Sequence, residues 1–180
     1  MNILITSAGR RVSLVRAFQK ELKALIPEGL VMTTDFKTHL SAACQVSDKA
    51  FDLPLVDDIN YINFLKEICI KNNIKLIIPT IDTELQLLAK HSKSFLKNGI
   101  IPIISSEKFI DICRDKRQMN AFFLNHNIQV AKEYSKFDYK LPLFIKPLNG
   151  SRSVDTFIIT KHEELTEYHF KNQDLMFLEY

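Results

Sequence analysis

The chain has 180 residues, enough for one large domain or two small ones, and its 46% hydrophobic and 25% charged content is that of a folded globular protein. Its net charge of +3 comes without a dense basic block, and no apolar run approaches the ~18 residues of a membrane span, which argues against nucleic-acid and membrane partners. Cys44, Cys69 and Cys113 are too scattered for a disulfide framework or a zinc site, so a reducing, cytoplasmic setting is expected.

In chain order, Asn2–Thr6 reads as a buried strand. It is followed by Ser7-Ala8-Gly9-Arg10-Arg11 and a helical pattern running to Leu25 through Val12, Val15, Phe18 and Leu22. The early arginine pair is in the wrong order for a secretory signal. Leu30–Thr34 gives a second strand ending at Asp35. A short helix follows around Leu40, Ala42 and Ala43, then a short strand at Ala50–Leu53. Tyr61–Lys71 is amphipathic, with Ile62, Leu65, Ile68 and Cys69 on one side. Lys75–Ile78 is a strand that stops at Pro79, and Thr80-Ile81-Asp82 can cap a helix over Thr83–Phe95. Ile100–Ile104 is a further strand. Strands alternating with helices at this spacing predict a parallel sheet covered on both faces, a Rossmann-like α/β fold.

The pattern then changes. Glu107–Cys113 and Lys116–Asn125 read as two helices broken at Arg114-Asp115, with Asp115 as N-cap and Gln118 completing a capping box. Short strands follow near Gln129–Tyr134, Pro142–Lys146 and Val154–Thr160, then a helix over Lys161–Phe170 and a strand from Asp174. This is an α+β arrangement, and the boundary is placed near Ile112, giving domains 1–112 and 113–180. The five histidines have no ligand spacing and are expected at the surface, and Cys113 in the core.

The most informative stretch is Leu143–Val154. A short apolar strand ends in Lys146, and Pro-x-x-Gly-Ser-x-Ser follows. A strand that delivers a lysine beside a Gly/Ser turn suits a phosphate, because the ammonium supplies charge and the loop supplies N–H groups. It is not the P-loop of nucleotide triphosphatases, since the lysine precedes the glycine. Asp115-Lys116 at a helix start and Leu175-Met176-Phe177-Leu178-Glu179-Tyr180 at the end of a strand complete the constellation. A cation at a helix amino terminus is slightly unfavourable, which points to a functional reason for Lys116.

Taken in order, Ser-Ala-Gly-Arg-Arg, Pro-Thr-x-Asp-x-Glu-Leu, Asp-Lys, Ile-Lys-Pro-x-x-Gly-Ser and Phe-Leu-Glu-Tyr resemble the ATP-grasp superfamily. Within it they resemble the carbamoyl-phosphate-synthase-like proteins. The resemblance implies a pre-ATP-grasp domain over 1–112 and, over 113–180, the amino-terminal part of the nucleotide-binding domain, cut at the hinge strand. It implies activation of a small carboxylate by ATP as an acyl phosphate, which an amine then attacks. Residue by residue, it makes Lys116 and Lys146 phosphate contacts, Gly150, Ser151 and Ser153 the loop over the phosphates, and Glu179 and Tyr180 the adenine edge. Where the family commonly has Ser-x-Gly, this chain has Ser153-Val154-Asp155. The metal ligands for Mg²⁺ are expected beyond Tyr180, so the chain alone is expected to be inactive, and no metal residue is assigned in it.

Gly9, Arg10 and Arg11 form no Gly-x-Gly-x-x-Gly and read first as a tight turn. Asp82 and Glu84 lie where open sheets bind ligands and are candidate substrate residues, although helix capping explains them equally. The alternative to a ligase is a non-catalytic Rossmann-like module that binds a small ligand. A split enzyme is the other alternative, in which a homo-oligomer or a partner chain supplies the missing half.

Overall fold

The computed structural model describes residues 1–150 and 153–180. The chain divides into two compact units, Met1–Glu107 and Lys108–Tyr180.

The first unit is built on strands β1 (Asn2–Thr6), β2 (Val31–Asp35), β3 (Lys49–Asp52), β4 (Ile74–Pro79) and β5 (Ile101–Pro102). They form one parallel sheet in the order β3-β2-β1-β4-β5. Successive side chains of a strand point to opposite faces, so β1 feeds two cores. Leu4 joins Tyr61, Leu65, Cys69, Ile77, Leu88 and Phe95 on one face, packed by helices α3 (Tyr61–Lys71) and α4 (Leu85–Leu96). Ile3 and Ile5 join Val15, Leu22, Ala43 and Cys44 on the other, packed by α1 (Val12–Leu25) and α2 (Ala42–Val46). Each fully buried leucine or phenylalanine here contributes about 1.5–3 kcal/mol relative to exposure. The parallel α/β reading of the sequence therefore holds. β5 is shorter than expected, an edge strand that tolerates Pro102 and whose last bond to β4 runs from the Ile103 N–H to Ile77 O at 2.9 Å.

The second unit contains α5 (Glu107–Arg114), which starts at the boundary, then α6 (Lys116–Asn125), β6 (Glu133–Tyr134), β7 (Leu143–Pro147), β8 (Phe157–Ile159), α7 (Glu167–Lys171) and β9 (Leu175–Glu179). Its strands form an antiparallel sheet in the order β6-β9-β7-β8. Leu143, Ile145, Ile159, Leu175 and Phe177 build its core.

Three local expectations are corrected. The helix read over Lys161–Phe170 is interrupted: the Glu164 carboxylate accepts the N–H groups of Thr160 and Lys161 and closes a short turn, and extended Thr166 starts α7 afresh. His169 is buried, because its Nδ1 accepts the Thr166 N–H at 3.0 Å and its ring lies 4.7 Å from that of Phe157. Cys113 is exposed, on the outward side of α5, whose buried residue is Ile110.

Candidate functional site

On β7 the alternation is decisive. Leu143 and Ile145 are fully buried, so Phe144 and Lys146 emerge on the opposite face of the sheet. The Lys146 ammonium lies 5.9 Å from the Phe144 ring centroid, at the edge of cation–π range. Lys116 is the first residue of α6. Asp115 caps that helix by accepting the N–H groups of Arg117 at 2.9 Å and Gln118 at 3.1 Å. Gln118 returns a bond to the Asp115 side chain at 3.2 Å, closing the box through side chains instead of the cap backbone. Burial pushes the Asp115 carboxyl up, but the bonds from Gln118 and Arg117 outweigh it and hold it below the usual range.

With its helix end fixed, Lys116 reaches the loop after β7. Its Nζ donates to the carbonyls of Leu148 at 3.1 Å and Gly150 at 3.4 Å. Leu148 is anchored in turn, its N–H donating to Asp174 O at 2.6 Å just before β9. Gly150 has φ +151°, and a Cβ there would meet the Pro147 ring at 3.2 Å, so the position favours glycine on two counts. Ser153 and Asp155 are left-handed, at φ +56° and +54°. Asp155 stands where the resemblance expects a second glycine and adopts the left-handed backbone that Asp tolerates better than most residues. Ser151 lies outside the described residues.

Lys116, Lys146, Gly150 and Ser153 line one open cleft of about 160 Å³, together with Phe144, Pro147, Val154 and Thr156. Residues thirty positions apart in sequence thus share one surface, and that surface carries two cations beside a glycine turn. Glu179 pairs with Leu143, three residues along β7 from Lys146, a separation of roughly 10 Å. Opposed residues share a face, so the Glu179 carboxylate leaves the sheet on the Leu143 side, away from Lys146. Its backbone N–H is taken by Lys132 O at 2.9 Å. Tyr180 is exposed.

In the first unit Glu84 is completely buried. Its carboxylate accepts from Thr6 Oγ1 at 2.5 Å, from Tyr61 Oη at 2.7 Å and from Ser7 Oγ. Three hydroxyls surround it, so it ties β1 and α3 to the turn before α4 and presents no open face to a substrate. Thr80 does not cap the helix either, since its hydroxyl donates to the carbonyls of Thr6 and Ser7. Asp82 sits half-buried in the same turn, at the carboxyl ends of the strands.

A family model described as the PylC-like, N-terminal domain matches residues 3–104. The chain belongs to that family. None of the curated proteins is similar enough to this chain to count as a match. Among solved structures, the PylC-like chain is similar to the biotin carboxylase domain of the Hydrogenobacter thermophilus 2-oxoglutarate carboxylase, in complex with MgADP, ADP and bicarbonate. The TM-score is 0.69 at 14% identity, covering 99% of this chain and 44% of that one. It is also similar to an L-amino acid ligase from Bacillus licheniformis, with TM-score 0.67, 13% identity and coverage of 91% and 38%. A biotin carboxylase–β,γ-ATP complex from Campylobacter jejuni gives TM-score 0.63 at 14% identity, with coverage of 99% and 44%. At these identities the likeness is one of fold, and the PylC-like chain spans less than half of each of these three proteins. The fold is that of the amino-terminal part of ATP-grasp enzymes, pre-ATP-grasp domain included. No helix among the described residues is long and apolar enough to cross a membrane.

Sequence reasoning missed the hydroxyl cage of Glu84. In the sequence Tyr61 marks only the start of an amphipathic helix, and no spacing rule links it to a carboxylate twenty-three positions away.

Proposed function

We propose that this chain is the nucleotide-binding, amino-terminal portion of an ATP-dependent carboxylate–amine ligase. The observation that carries the reading is the convergence of Lys116 and Lys146 with Gly150 and Ser153 on one cleft. Phosphoryl transfer needs little from a protein beyond positioning and charge neutralisation, and fixed ammonium groups beside a glycine turn offer both. In the proposed reaction a carboxylate oxygen attacks the γ-phosphorus of ATP, the bond to ADP breaks, and an acyl phosphate forms. An amine then attacks the acyl carbon and phosphate leaves. Lys146 would hold phosphate oxygens from β7. Lys116, released from the loop carbonyls or shared with them, would hold others. The end of β9, roughly 10 Å along the sheet, would offer adenine the Glu179 backbone carbonyl and Tyr180.

Magnesium accompanies ATP in such chemistry, where it neutralises phosphate charge. Among the described residues no three His, Cys, Asp or Glu side chains converge to hold a metal ion, so no ligand is assigned to it here.

The test is an NMR or calorimetric titration of the chain with ATP and, separately, adenosine. Lys146→Ala should weaken ATP about ten- to a hundredfold, the effect of losing one charge-assisted contact, and leave adenosine nearly unchanged. Unaltered ATP affinity in Lys146→Ala would sink the reading.

A further inference from the structure

Two Asn-Gly pairs occur in the chain, Asn98-Gly99 and Asn149-Gly150. Asparagine is among the thermolabile residues of proteins, for a local reason. Its Cγ can close a five-membered ring with the backbone nitrogen of the next residue, an intramolecular reaction favoured by proximity. Glycine in that next position has no Cβ to obstruct the approach. Ring closure then needs two freedoms. The nitrogen must be unbonded, and the side-chain amide must be able to turn onto it.

Both pairs are exposed to solvent, and they differ in bonding. Asn98-Gly99 closes α4. The Gly99 N–H donates to Leu96 O at 2.9 Å in a left-handed turn at φ +69°, and Asn98 Nδ2 donates to Ser94 O at 2.9 Å. Nucleophile and electrophile are both held there. Asn149-Gly150 follows β7. Among the described residues the Gly150 N–H has no acceptor and the Asn149 side chain has no hydrogen-bond partner.

What holds the second pair lies on either side of Asn149. The Leu148 N–H donates to Asp174 O at 2.6 Å, and the Lys116 ammonium takes the carbonyls of Leu148 and Gly150. These anchors fix the ends of the turn and leave the reacting atoms free. They also bring a positive charge beside the place where a peptide nitrogen must give up its proton and an oxyanion must form. A fixed cation lowers the cost of both.

We propose that Asn149 is a self-modifying site, deamidating in the folded chain while Asn98 stays intact, and that the product places a carboxylate beside Lys116. The Gly150 nitrogen loses its proton to solvent and bonds to Asn149 Cγ. The Cγ–Nδ2 bond breaks, and ammonia leaves with a proton returned from solvent. Water then opens the cyclic imide and restores the Gly150 N–H. Opening at Cγ gives aspartate, and opening at the backbone carbonyl carbon gives isoaspartate. One water is consumed and one ammonia released, with no change of oxidation state. Either product carries a negative charge where Asn149 had none. Isoaspartate also adds a methylene to the backbone between the two carbonyls that Lys116 holds. Pro147 and Gly150, which flank the Leu148-Asn149 step, both line the cleft of the second unit.

The test incubates the whole chain in mildly alkaline buffer, folded and in urea, and follows tryptic peptides 98–108 and 141–152 by mass spectrometry. Isoaspartyl methyltransferase labelling separates the two acid products. In the folded chain, peptide 141–152 should convert to acid severalfold faster than 98–108, with isoaspartate among its products, and in urea the two rates should converge. Equal rates in the folded chain, or an Asn149 that stays intact there while the urea sample reacts, would overturn the proposal. Asn149→Asp should weaken ATP severalfold, a consequence that rests on the nucleotide reading. ATP affinity unchanged by Asn149→Asp, where Lys146→Ala does weaken it, would refute the placement of the carboxylate beside Lys116. The peptide masses need no ATP, so their failure counts against this site alone, and unaltered ATP affinity in Lys146→Ala counts against the nucleotide reading alone.

Discussion

The Lys116 ammonium donates to the Leu148 carbonyl at 3.1 Å, so the first residue of α6 holds the loop that follows Lys146. The two cations are therefore not equivalent. Lys146 projects from a strand interior whose alternate residues are locked in the core, whereas Lys116 is one end of a tether. Lys116→Met should shift the Leu148 and Gly150 amide resonances before any nucleotide is added, and Lys146→Met should leave them in place. Identical spectral changes in the two variants would show that the tether does not exist in solution.

The glycine turn makes a prediction with opposite signs at two positions. Gly150→Ala puts a Cβ against Pro147 at a φ that L-residues rarely adopt, and should destabilise the second unit by about 1 kcal/mol or more. Asp155→Gly removes a side chain from a left-handed position, which offsets the added freedom of the unfolded chain, so its effect should stay within about 0.5 kcal/mol. Urea midpoints of the two variants provide the check, and a Gly150→Ala protein as stable as the parent would contradict the geometry.

Asp115 caps α6 through two backbone N–H groups, and Asn can do the same. Asp115→Ala should cost about 1 kcal/mol and Asp115→Asn much less. The carboxyl is held below its ordinary range in the fold, so its contribution is present above the unfolded value of about 3.9 and disappears as pH falls through the lower folded value. Parent and Asp115→Asn should therefore converge in stability only in strong acid, measured as melting temperature between pH 6 and pH 2.

In the first unit, removing Glu84 leaves the buried hydroxyls of Thr6 and Tyr61, and the half-buried one of Ser7, without their acceptor. Glu84→Ala should destabilise by about 2–4 kcal/mol, and Tyr61→Phe by about 1.5–3 kcal/mol. If Glu84 instead faced a ligand, Glu84→Ala would change stability little and binding a great deal.

Tyr61 and Cys69 set an alkaline limit. Burial, reinforced by the Glu84 carboxylate, raises the Tyr61 phenol far above its usual range, and burial pushes the Cys69 thiol up to about 12. Both groups keep their protons in the fold at pH values where the unfolded chain releases them, from about pH 8.5 for the thiol and about pH 10 for the phenol. Their stabilisation is whole below those values and is lost as pH rises, at up to about 1.4 kcal/mol per pH unit for each group. Cys69→Ala and Tyr61→Phe should each flatten the fall in urea midpoint between pH 8 and pH 10.5. A slope unchanged in the double variant would mean that other groups cause it.

Sheet type, helix periods and the identity of the charged residues can be read from the chain alone. β1 is buried on both faces and reads as the apolar run Ile3-Leu4-Ile5, β2 and β4 are apolar apart from Thr33, Thr34, Asp35 and Lys75, and α3 was legible to its end residues because a single buried stripe repeats at the helical period. Lys146 was legible for the same local reason, as a polar ending to a strand of alternating burial. Partnership between distant residues came from the folding of the chain. It brought Lys116 over Leu148 and Gly150, turned the Glu179 side chain to the far face through the β7–β9 register, and enclosed Glu84 among Thr6, Ser7 and Tyr61. Periodicity is set by neighbours a few residues apart and can be read from one chain. A hydrogen bond between residues thirty or seventy positions apart depends on where the sheets place them, and no local pattern encodes that.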